Sequence, residues 1–201
     1  MKICRKFKGL GLLFLFLAGS VVSAQVSSSD QEAIAHFLQE LRNGALLVRL
    51  ADQDLTLKTL KKKGEADRVA ELKETLRREH RETMLSFEQT FHFCPVYFFY
   101  ARHSEMVRQG KLEGIIFDHQ GNAVPQNRLP SQYYVAEFDE TKNLGIDGLI
   151  VLSSKLIPLE KPLPFYERKY LWLGLVSRSK AKMAEAYNER LFYHYRRYVQ
   201  P

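Results

Sequence analysis

The sequence predicts an α/β fold: a single layered domain with a mixed β-sheet of about five strands flanked by helices, among them a long charged helix and a C-terminal helix. Three observations predict it. Apolar residues recur at helical spacing over 65–91 and again over 177–198. Two short runs, 45–50 and 93–100, are apolar at nearly every position, which a strand tolerates only where both sheet faces are covered. Helix and strand patterns alternate early in the chain and strands follow one another later, which favours a mixed sheet over an all-β or all-α arrangement.

The chain opens with Lys2, Arg5, Lys6 and Lys8, then an apolar stretch over 10–18, then the small-residue ending Val22-Ser23-Ala24. This order of basic, apolar and small residues is that of a cleavable bacterial-type secretory signal peptide spanning 1–24, with a mature start at Gln25. The apolar stretch falls short of the roughly 20 residues that span a bilayer and is broken by Gly19 and Ser20. The expected location is therefore exported, in the periplasm or secreted, with no transmembrane segment after cleavage and one globular domain over 25–201.

Cleavage changes the chemistry of what remains. The 201 residues carry 30 Lys+Arg against 23 Asp+Glu, a net of +7, but four of those cations and none of the acids lie in 1–24, so the mature net charge is +3. With acids interrupting most basic clusters, nucleic acid is not an expected partner. Of two cysteines, Cys4 leaves with the signal and Cys94 stays, so no internal disulfide can form and core packing must carry stability.

Each element follows from local pattern. Ser29 or Asp30 can cap a helix over 31–42 whose apolar stripe is Ile34, Phe37, Leu38 and Leu41, and Asn43-Gly44 stops it. A buried strand over 45–50 comes next, interrupted only by Arg49. A short helix over 52–63 ends in Lys61-Lys62-Lys63, cations suited to the negative end of the helix dipole. The helix over 65–91 keeps one apolar stripe through Val69, Leu72, Leu76, Thr83 and Phe87, and the connection it completes is long enough for a right-handed parallel crossover. The aromatic run over 93–100 is the expected central strand, starting near Pro95 because proline lacks the amide hydrogen a mid-sheet position donates. A helical turn over 104–109, strands over 112–118, 133–138 and 149–152, an extended segment around Pro158, Pro162 and Pro164, and an aromatic-rich strand over 165–173 lead to the final helix.

The segments Asn43-Gly44-Ala45-Leu46-Leu47-Val48-Arg49-Leu50 and Phe93-Cys94-Pro95-Val96-Tyr97-Phe98-Phe99, with the charged helix between them, resemble short exported uncharacterised proteins of Bacteroidota. The resemblance extends through Leu149 to Leu152 and Pro162 to Tyr166. It implies export and carries no activity or site residues.

Candidate chemistry is sparse. Glu137 interrupts an apolar strand, and a buried carboxylate needs a partner, for which Arg49 is the counterpart in the other apolar strand; the two would form either a structural ion pair, the favoured reading, or the polar heart of a binding pocket. Asp118 and His119 end an expected strand, where α/β sheets open ligand crevices, yet Asp-His-Gln-Gly-Asn is also ordinary turn composition. Cys94 beside His92 invites a thiolate reading, against which an apolar aromatic strand argues for an inert buried thiol. The six histidines include no close pair of the zinc-site kind, and no phosphate loop or nucleophile turn occurs, so no metal and no cofactor are expected. The basic clusters over 58–63, 77–81 and 178–182 read as solvated helix faces. Tyr193, Arg196 and Arg197, with Arg190 nearby on the same helix, form an aromatic and basic face that could meet a ligand or partner.

These features lead to an expectation of a non-enzymatic binding module of the cell envelope, its partner an envelope protein or a small ligand. The alternative is a small hydrolase-type enzyme with its site near Asp118, His119 and Glu137.

Overall fold

Ser27 opens the first helix, its hydroxyl accepting the amide hydrogen of Asp30 at 3.1 Å. The cap thus falls on the first serine of the run rather than on Ser29 or Asp30, both of which lie in the first turn, where Asp30 donates its amide hydrogen to the Ser27 cap. The computed structural model describes residues 27–140, 145, 147–171, 174 and 176–200. The signal peptide expected over 1–24 lies outside the described residues.

Helix α1 (Ser28–Asn43) buries Ile34, Phe37, Leu38 and Leu41, the stripe its spacing predicts. A Cβ at Gly44 would run into the carbonyl oxygens of Gln132 and Glu40. The chain therefore passes from α1 into β1 (Ala45–Leu50) through a gap that only glycine fits. Next come α2 (Asp54–Lys62) and the long α3 (Ala66–Thr90), which buries Val69, Leu76, Thr83, Ser86 and Phe87 and leaves its charged residues outside. After them stand β2 (Val96–Tyr100), the single-turn α4 (Ser104–Arg108), β3 (Tyr133–Glu140), β4 (Asp147–Leu152) and β5 (Tyr166–Arg168). A two-stranded ribbon of β6 (Tyr170–Leu171) and β7 (Val176–Ser177) precedes α5 (Lys180–Tyr198), capped by Ser179.

Five strands form one mixed sheet in the order β2-β1-β3-β4-β5. β1 runs parallel to both neighbours, with Leu46 opposite Val96 on one side and Ala45 opposite Tyr133 on the other. The β3–β4 and β4–β5 pairs are antiparallel. Side-chain alternation splits the core in two. One half, with Leu46, Val48, Phe98, Ala136 and Leu149, is covered by α1, α3 and α5; the other, with Leu47, Phe99, Val135 and Ile150, is covered by Val107 of α4 and by Leu112, Ile115, Ile116 and Val124. A single α/β domain with helices on a mixed sheet is what the periodicities predicted.

Three details differ from the sequence reading. The run over 93–100 is not the central strand: β2 begins at Val96 and ends the sheet. Its outer side is nevertheless covered, because Phe98 exchanges both backbone hydrogen bonds with Phe117, at 2.8 and 3.0 Å. Apolarity on both faces reported burial, not position. The segment over 112–118 is not a continuous strand but a set of turns with isolated bridges at Phe117, since Gly114 sits at φ 71° and breaks extended geometry. The aromatic stretch over 165–173 divides between β5 and β6, with residues 172–173 outside the described residues.

Candidate functional site

Arg49 and Glu137 meet. Val48 pairs with Ala136 across the parallel β1–β3 register, so the next residues along, Arg49 and Glu137, leave the sheet side by side on the same face. Arg49 Nη1 donates to Glu137 Oε2 at 2.7 Å. They line a depression of about 180 Å³ at the carboxyl ends of the parallel strands, together with Asp52, Gln53, Ala101 and Asp139. The chain leaves β1 toward β2 and returns to β3 on the opposite flank, so this crevice is the topological switch point where α/β sheets commonly take ligands. Here, however, the charges are largely answered internally. Arg49 holds Glu137, while Asp52 accepts the Arg102 amide at 2.7 Å and lies 3.6 Å from its guanidinium.

Asp118 and His119 do not line that crevice. Asp118 turns back on its own loop, accepting from the Gln120 and Asn122 amides at 2.9 Å each and from Asn122 Nδ2 at 3.2 Å. Partial desolvation works against its charged form, but the Asn122 and Gln120 hydrogen bonds outweigh it and hold the carboxyl below its ordinary range. His119 Nε2 lies 3.0 Å from Glu88 of α3. Cys94 is buried, and desolvation pushes its thiol up to about 12, which keeps it protonated and unreactive. On α5, Tyr193 is exposed and accepts from Arg197 Nη1 at 3.0 Å, while that guanidinium also packs over Tyr198. Among the described residues no group of three His, Cys, Asp or Glu side chains could hold a metal ion.

A larger cleft lies at the other side of the sheet. Glu167 of β5 stands opposite Leu149, whose side chain belongs to the helix-covered core, so alternation turns Glu167 inward toward α5. It is 4% exposed. Arg178 Nη2 donates to its Oε2 at 3.1 Å. Arg190 Nη2 lies 2.6 Å from Oε1, off the hydrogen-bond axis, so charge more than directional bonding holds that oxygen.

The same two arginines close the sheet edge. Val151 N donates to Phe165 O and Lys169 N to Asp147 O, so the intervening polar groups of Tyr166 and Arg168 point away from β4. Arg190 Nη1 donates to Tyr166 O at 3.0 Å, and Arg178 Nε to Arg168 O at 2.8 Å. Each guanidinium thus joins the buried carboxylate to an edge carbonyl, which also denies that edge to another strand. The sequence reading had put the cluster over 178–182 on a solvated helix face. Arg178 is instead only 15% exposed and precedes the helix, and Lys180 donates to Thr83 at 2.9 Å.

The third arginine, Arg168, is exposed, and its contact is a long 3.5 Å one to Tyr166 Oη. Tyr166, Glu167, Arg168, Leu171, Arg178, Ala186 and Arg190 surround about 480 Å³, within the range of small-ligand pockets. The guanidiniums of Arg178 and Arg190 face one carboxylate there, leaving one positive charge in surplus. Alternation turns the Arg168 side chain to the opposite face of β5, beside Tyr166 Oη, and only its backbone edge meets the cleft. Sequence reasoning named Arg190 but missed Glu167 as a candidate. No local signal marked it, since Glu167 stands in the charged run Glu167-Arg168-Lys169 and reads as a solvated position.

No family model matches the chain, and no curated protein or solved structure shows significant similarity to it.

Proposed function

We propose that the protein is an exported, non-enzymatic binding module that takes an anionic ligand in the cleft between β5 and α5. The observation that carries this reading is the charge imbalance over one concave surface: Arg178 and Arg190 around the single carboxylate of Glu167. Guanidinium forks suit carboxylate and phosphate oxygens, and burial lowers the dielectric around them, so an anion gains more here than on an open face. Arg178 and Arg190, anchored by Glu167 and the edge carbonyls, supply fixed positive charge. A preformed cationic site needs little reorganisation on binding. Export rests on the basic, apolar and small-residue order of residues 1–24.

Titration of the protein with sulfate, phosphate and acetate, followed by NMR of the arginine Nε–Hε groups, tests the site. Saturable shifts are expected at Arg178 and Arg190, weakening with added sodium chloride, and Arg190→Gln, which cancels the charge surplus, should weaken binding about tenfold. Arginine resonances unmoved by millimolar anion would end the proposal. For export, sequencing of the protein recovered from the periplasm of an expressing cell should begin at Gln25; a full-length chain retained in the cytoplasm would refute it.

A further inference from the structure

We infer that the ligand of this cleft is a small carboxylic acid bearing a single apolar or aromatic side group, bound astride Arg190; the inference rests on the anion-binding reading above. The cleft does not stop at Arg190. A second depression of about 230 Å³ shares Tyr166 and Arg190 with it and is walled by Pro162, Leu163, Pro164, Phe165 and His194. The two lobes differ in chemistry: one is lined by the guanidiniums of Arg178 and Arg190 about Glu167, the other by proline, leucine and aromatic carbon.

The boundary between them is fixed, because Arg190 is tied to Tyr166 O on one branch and to Glu167 on the other. Two lobes that share two residues are about one side chain apart. A ligand that fits both must therefore carry its acid and its apolar group on adjacent atoms. The smaller lobe has room for one aromatic or branched group and not for a long chain. Charge selects the acid over an amine, since Lys161 stands at the rim of the apolar lobe and Arg190 and Arg197 both act on the His194 ring. His194 Nδ1 is closed off from water without a hydrogen-bond partner, so the apolar lobe already contains a polar atom that a ligand group could satisfy on a small displacement of the ring.

The test compares N-acetyl-phenylalanine, N-acetyl-phenylalaninamide and acetate as probes, by calorimetry and by NMR of the arginine and histidine side chains. N-acetyl-phenylalanine is expected to move both the Arg178 and the His194 resonances, with the amide and acetate each bound about tenfold more weakly or worse. Arg190→Gln should bring the acid and the amide to similar affinity. Acetate binding as tightly as N-acetyl-phenylalanine, or an arginine response with His194 unmoved, would overturn the inference and leave the anion site standing. A cleft unresponsive to every anion, sulfate included, would overturn both.

Discussion

At the scale of single residues, two strand carboxylates show how much one position can hide. Glu137 interrupts an apolar strand pattern and Glu167 opens the charged run Glu167-Arg168-Lys169, and each is answered by arginine, Glu137 by Arg49 and Glu167 by Arg178 and Arg190. Removing the arginines from such a carboxylate would leave its charge buried and uncompensated. His194 offers a test of the field around the cleft. Burial and then the positive charges of Arg190 and Arg197 lower its pKa from the ordinary 6.5. The neutral ring is favoured in the folded protein, so the unfolded chain binds more protons as the solution is acidified. Stability from this group is then fully present above pH 6.5 and is lost as the pH falls through the lower folded value. Urea denaturation at a series of pH values should show that loss, and His194→Gln should flatten it. An unchanged slope in the variant would show that His194 is not the group responsible.

At the scale of elements, the β4–β5 junction is the part on which the cleft depends. A Cβ on Gly148 would overlap the Glu167 carbonyl and press on the Arg168 backbone, so β4 approaches β5 there without a side chain between them. Glu167 and Arg168 are held in place by that approach. Gly148→Ala is expected to cost about 1–3 kcal/mol in urea denaturation and to weaken anion binding with it, since the strand carrying Glu167, which anchors Arg178 and Arg190, must shift. Wild-type stability and binding in the variant would show that β5 is not seated as described. β2 illustrates a different dependence. Its aromatic sequence suits an interior strand, but it stands at the sheet's end and is covered by the Phe117 segment and by α3, whose Phe87 packs against Phe98. What lies beside a strand is set by segments remote in sequence, which its own residues do not encode.

At the scale of the whole molecule, a sheet covered on both faces concentrates stability in β1, which has hydrogen-bonded neighbours on both flanks and fully buried residues on both sides. The β6–β7 ribbon pairs only with itself, and Tyr170 and Val176 are exposed. Native-state hydrogen exchange should find β1 amides slower than those of β6 and β7 by on the order of 10³-fold or more. Comparable rates would contradict a core built around β1. The succession of helices and strands could be read from the sequence because spacing, caps and breakers act within a few residues: the stripe of α1, the stop at Gly44 and the start of β2 after Pro95 all stand close to where pattern put them. The pairing of Arg49 with Glu137 could be anticipated, since each was a lone charge in an apolar strand. The cleft could not. Glu167, Arg178 and Arg190 lie on a strand, on the segment before the last helix and on that helix, and they converge only because β5 takes the edge of the sheet and α5 packs back across it. The sequence by itself determined local conformation and which positions are apolar; only the tertiary structure decided which strand is interior and which charges share a cavity, because those depend on register and packing between segments whose local preferences are silent about one another.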